Sequence, residues 1–81
     1  MIESDIEEMR GHINALFMTM TTLITTLPPV AAARSAVELA IEHQATQAED
    51  SENEIPQATR AARDSAIHAV LQLLQAVSKR G

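Results

Sequence analysis

The amino-acid sequence predicts an all-α protein, a three-helix antiparallel bundle made of a helical hairpin and a third helix. Three observations support this fold class. Apolar residues recur at alternating steps of four and three between residues 2 and 27, as in a helix that buries one continuous stripe. The apolar content is Ala, Leu, Ile, Val and Met, with Phe17 as the one aromatic residue, and this mixture favours helices over strands. A Pro pair and an acidic run divide the chain into three stretches.

The length predicts a single helical domain over residues 1–81. A chain of this size builds a modest core, and Trp and Tyr, which bury large areas, are absent from the sequence. Oligomerisation is a common way for a small chain to bury more apolar surface. We therefore expect the bundle to assemble as a helical homodimer.

The first helix is predicted over residues 5–26. Ser4 and Glu7 have the spacing of a capping box, and acidic residues of the first turn complement the helix dipole. Phe17 and Ile24 widen its apolar face beyond the strict repeat, which suits a bundle better than a two-stranded coil. The repeat, named here the heptad seam, consists of Ile2, Ile6, Met9, Ile13, Leu16, Met20, Leu23 and Leu27.

The second helix is predicted over residues 29–47. Pro28 and Pro29 exclude the preceding residues from the helical region, and Pro29 fits the first position of a new helix. A turn this short predicts that helices 1 and 2 are antiparallel neighbours, and one kinked helix is the alternative. The expected inward face is Val30, Ala33, Val37, Ala40, Ile41 and Gln44.

The third helix is predicted over residues 56–78, after an acidic loop over residues 48–55. Four of the six residues from Glu49 to Glu54 are acidic and none is apolar, which indicates a solvated connection ended by Ile55 and Pro56. The apolar stripe of this helix is expected to contain Thr59, Arg63, Ala66, Val70, Leu73 and Val77, broadened by Ile67, Leu71 and Leu74.

Helix 1 has an unusual outer face. No formally charged residue occurs between Gly11 and Ala33, and the outer positions carry five Thr. Exposed helix faces usually carry Lys, Glu and Arg, and Thr is only a middling helix former. Three interpretations remain open: a central helix covered on more than one side, a membrane segment, and a solvated Thr-rich face. The apolar part is short for a membrane span, which needs about 20 residues.

No pattern predicts an enzyme, a cofactor or a metal site. The chain has no Cys, no phosphate-binding Gly-rich loop and no nucleophile elbow. The three His lack metal-ligand spacing, and we expect His12 and His68 to pair with Glu8 and Asp64, four residues before them. Six Lys and Arg and a net charge of −5 argue against nucleic acid and anionic membranes as partners.

The heptad seam therefore predicts a non-enzymatic, protein-binding protein. We expect a regulator or inhibitor that occludes another protein through a helical face, or alternatively a structural or chaperone-like subunit of a larger helical assembly. The acidic first residues do not resemble a signal peptide, so a cytoplasmic location is expected. The interface with a second copy or another protein is predicted to contain Met9, Ile13, Leu16, Phe17, Met20, Leu23, Ile24 and Leu27.

Overall fold

A computed structural model describes residues 2–80, and these residues form an all-α bundle of three helices. Helix α1 spans Ile2–Thr25, α2 spans Pro29–Asn53 and α3 spans Gln57–Ser78. The helical content and the packing of α2 on α3 confirm the predicted fold class at this level.

The Pro pair separates α1 from α2, so the alternative of one kinked helix is wrong. Pro28 adopts an extended conformation, with φ −62° and ψ 149°, and Pro29 is the first residue of α2. The α1 helix begins earlier than predicted, so Ser4 lies inside its first turn and does not cap it.

The predicted acidic loop is largely helical, which corrects the expectation for residues 48–55. Helix α2 continues to Asn53 and ends at Glu54, whose φ of 53° is left-handed and whose N–H donates to the Asp50 carbonyl. Arg63 of α3 holds the Asp50 carboxylate with two hydrogen bonds of 2.8 Å. This ion pair binds the last turns of α2 to α3, while the other acids of the segment remain exposed.

The packed face of α2 differs from the predicted one. Val30, Val37 and Ile41 are exposed, whereas Ala32 and Ala36 are buried and Leu39 packs beside them. The small side chains bring α2 close to α3, because interaxial distance follows the size of the residues at the contact. The core of the described residues is Ile24, Ala32, Ala36, Leu74 and Val77, with Met20, Leu27, Leu39, Val70, Leu71 and Leu73 packed against it.

Helix α1 is attached to the bundle mainly through its C-terminal half, so the chain itself does not cover it on more than one side. It packs chiefly on α3 and has one buried residue, Ile24. Arg80 Nη1 donates to the Thr25 carbonyl at 3.4 Å, which places the C-terminal ends of α1 and α3 side by side. The two helices therefore run in the same direction, and the N-terminal half of α1 extends away with little cover.

The chain is open in shape. Its radius of gyration is 15.0 Å, whereas a compact domain of this length has about 12 Å. The Cα positions extend over 47 × 31 × 12 Å, so the molecule is a flat plate. A flat plate leaves two broad faces without a second layer of structure, and apolar residues remain on the surface.

Candidate functional site

The heptad seam leaves a series of large apolar side chains on the surface of the described residues. Ile2 is 75% exposed, Leu16 is 69% exposed and Leu23 is 62% exposed. These side chains lie on one face of α1 because their spacing follows the helical repeat. Single exposed apolar residues are ordinary on a protein surface, but an aligned series of them is a candidate interaction site.

The eight predicted interface residues divide into two groups in the structure. Ile24 is buried in the core of the chain itself, and Met20 and Leu27 pack against that core. Phe17 lies at the boundary, with 38% of its surface exposed. The side chains left uncovered are those of Met9, Ile13, Leu16 and Leu23.

The sequence-based site list omitted several exposed apolar residues. Ile2 and Ile6 continue the heptad seam to the N-terminus of α1, and the repeat itself contained the signal for them. Met18 is exposed on a different side of α1. Val30, Val37 and Ile41 form a second exposed stripe, named here the outer stripe of α2, whose spacing was interpreted as the face toward the bundle.

An apolar pocket lies where α1 meets the other two helices. Its volume is about 290 Å³, and its lining exposes no polar surface. Met20 belongs both to the heptad seam and to the lining, so the pocket adjoins the seam. The lining residues are Phe17, Met20, Leu39, Ala66, Ile67 and Val70.

Four Thr residues in α1 and directly after it donate their hydroxyl groups to backbone carbonyls of the preceding turn. Thr19 Oγ1 donates to the Ala15 carbonyl at 2.8 Å, and Thr22 Oγ1 donates to the Met18 carbonyl at 2.9 Å. Thr25 and Thr26 make similar bonds, each to the carbonyl three residues before it. A hydroxyl that bonds to the preceding turn presents little hydrogen-bonding capacity to solvent. The C-terminal half of α1 is therefore weakly polar around much of its circumference.

A cluster of charged side chains joins α2 to α3 at the far end from the core. Arg63 bonds Asp50 through both terminal nitrogens and also bonds Asp64 through Nε at 3.0 Å. His43 Nε2 lies 2.8 Å from Asp64 Oδ1, and this nitrogen carries the proton because a carboxylate accepts. The predicted pairing of Asp64 with His68 is wrong, since His68 bonds Gln72 at 3.2 Å.

The hydrogen bonds in this cluster shift the pKa values of its charged groups and join α2 to α3. The hydrogen bond from Arg63 holds the pKa of Asp50 below its ordinary value. The hydrogen bonds from His43 and then Arg63 lower the pKa of Asp64 to about 2. Asp50 in turn raises the pKa of Arg63. The two acids stay ionised at neutral pH, and their partners hold α2 against α3.

Within residues 2–80, no group of three His, Asp or Glu side chains is arranged to hold a metal ion. In the same range, no helix combines the length and hydropathy that a bilayer crossing requires. No protein-family model, curated protein or solved structure matches this chain. The uncovered heptad seam and the adjoining pocket are therefore the candidate site on structural grounds.

Proposed function

We propose that this chain is a non-enzymatic, protein-binding protein that acts through the uncovered heptad seam of α1. The single observation that carries the proposal is the alignment of exposed Ile, Met and Leu side chains along one face of that helix. Burying apolar surface stabilises association by about 25 cal/mol per Å². A helix that presents its apolar face to solvent fits the helix-in-groove mode of protein recognition.

A second copy of the chain is the first partner that we propose. The accessible surface is 6351 Å², whereas a folded monomer of 8.8 kDa exposes about 4,800 Å². The excess is about 1,600 Å² per chain. If two copies cover this excess, the interface buries about 3,200 Å² in total, which lies within the range of obligate homodimers.

The proposed biological role is regulation or inhibition of another protein by occlusion. The chain would bind the partner through the apolar face of α1 and thereby block the partner surface that this face covers. The net charge of −5 favours a protein with a neutral or basic surface and disfavours nucleic acid.

The alternative is a structural or chaperone-like subunit of a larger helical assembly. The outer stripe of α2 favours it, because Val30 is 72% exposed and Val37 and Ile41 are exposed beside it. Two apolar stripes on two different helices allow neighbours on both sides of the plate. A chain used in this way forms species larger than a dimer.

Light scattering on the purified protein tests the proposal and separates the two roles. A discrete dimer supports the regulator, and larger species or aggregation support the assembly subunit. A monomer at all concentrations would contradict self-association.

The Leu16→Asp variant locates the interface. Because Leu16 is exposed within the chain, we expect the variant to lose the dimer while the core between α2 and α3 stays folded. Asn14→Asp is the matched control, since it adds the same charge two positions away, on the other side of α1. A Leu16→Asp variant that stays dimeric would show that the heptad seam is not the interface.

A further inference from the structure

The N-terminal part of the heptad seam and the apolar pocket occupy different parts of α1. Residues 2–16, named here the N-terminal arm, are exposed along their whole length. The pocket is formed beside Phe17 and Met20, where α1 lies against the α2–α3 pair. Within one chain, the arm therefore extends away from the part of α1 that packs on the α2–α3 pair.

We propose that two copies pair antiparallel along α1, so that the N-terminal arm of each copy covers the pocket of the other. This inference rests on the self-association proposed above and specifies its geometry. A two-fold arrangement of this kind is closed, because the same surface of each copy meets its equivalent on the other. It covers both arms and both pockets at once and leaves the outer stripe of α2 exposed.

The heptad spacing defines the register. The seam alternates between the two apolar positions of the heptad, a and d. In an antiparallel pair, the a positions of one helix face the d positions of the other. The register that aligns both seams places Ile6 opposite Leu23 of the second copy and Ile13 opposite Leu16 of the second copy. Met9 then lies opposite Met20 of the second copy, at the edge of the pocket. Met is a flexible side chain that adapts to irregular apolar space of this kind.

Charge favours the antiparallel orientation over the parallel one. The first eight residues contain four acids, Glu3, Asp5, Glu7 and Glu8. A parallel pair would bring two such clusters together, and like charges at close range repel one another.

In the antiparallel pair, the acidic end of the arm approaches the C-terminal end of α1 in the second copy. That end carries Thr residues and no acid between Gly11 and Ala33. Arg80 contacts the Thr25 carbonyl there, and Lys79 precedes it. The acids of one copy therefore meet the basic end of the other, which provides complementary charge at both ends of the interface.

Disulfide cross-linking tests the orientation, since the chain contains no Cys and introduced thiols have no competitor. The variants are Ile6→Cys and Leu23→Cys, made separately in the full chain with tags of different size. They are mixed under reducing conditions and then oxidised. A disulfide requires Cα atoms within about 7 Å, a distance that facing seam positions satisfy.

The expected result is a covalent heterodimer in the mixture, with the summed mass of both chains on a non-reducing gel. Each variant alone should stay non-covalent, because Ile6 of the two copies lie at opposite ends of the interface. Light scattering of the reduced variants shows whether each still associates.

A covalent homodimer of Ile6→Cys alone would overturn the antiparallel orientation. Association in light scattering without the heterodimer cross-link would overturn the proposed register and leave self-association intact. A monomeric wild-type protein would overturn both proposals, so the two failures are distinguishable.

Discussion

Leu16 offers a quantitative test of the proposed interface, because its side chain is large and 69% exposed within the chain. Leu16→Ala removes three carbon groups, each of which is worth about 0.8 kcal/mol when buried. Scaling this by the exposed fraction gives about 1.7 kcal/mol per copy. Each dimer contains two Leu16 side chains, so the substitution should make the free energy of association less favourable by about 3 kcal/mol.

The expected consequence is an increase of about two orders of magnitude in the dissociation constant. Sedimentation equilibrium over a dilution series measures it directly. The free chain should lose little stability, since Leu16 makes few contacts there and Ala is the stronger helix former.

Met18→Ala is the matched control for this experiment. Met18 is 70% exposed on the same helix, and it lies two positions from Leu16, which places it on the other side of α1. Its replacement should leave the dissociation constant within a few-fold of wild type. Equal losses in both variants, or no loss in Leu16→Ala, would refute the assignment of the heptad seam as the interface.

Four further predictions concern stability and charge. Leu74→Ala should destabilise the chain by about 2 to 5 kcal/mol in denaturant unfolding, because Leu74 is a buried residue of a small core. Gly11→Ala should stabilise α1 by up to about 1 kcal/mol in thermal unfolding, since an added Cβ meets no atom within 4 Å. The fold stabilises the ionised form of Asp64, so this carboxylate contributes to the free energy of unfolding above pH 3.8, and the contribution is lost as the pH falls toward about 2. Asp64→Asn should therefore make stability less dependent on pH over this range, as measured by acid unfolding followed by circular dichroism. Arg80→Glu should weaken dimerisation at low salt and less at high salt, while the exposed Arg34→Glu serves as the control.

The sequence predicted the helices well because their signals are local. Pro28 and Pro29 determine their own backbone angles, so the break between α1 and α2 follows directly from the residue type. The acidic segment was mispredicted because its helicity depends on a distant partner. Asp50 is held by Arg63, thirteen positions later, and no local pattern shows that this pair will form.

The faces of the helices were harder to predict than their positions. On α2, the spacing of Val30, Val37 and Ile41 indicated an apolar stripe correctly, but periodicity does not say which neighbour covers it. The actual contact uses Ala32 and Ala36, whose small size permits close packing that larger side chains would prevent. The heptad seam has the same ambiguity, since its pattern fits burial within the chain and burial against a second chain equally well.

Helix formation in the N-terminal arm and pairing of two copies are expected to be thermodynamically linked. A helix of about 15 residues is marginal in water by itself, and helices in proteins gain most of their stability from packing of an apolar face. The arm has no such packing within the chain, because Ile2, Ile6, Met9 and Ile13 remain exposed. Under the proposed pairing, the second copy supplies the missing contacts. The free energy of association is then the free energy of apolar burial less the cost of ordering the arm.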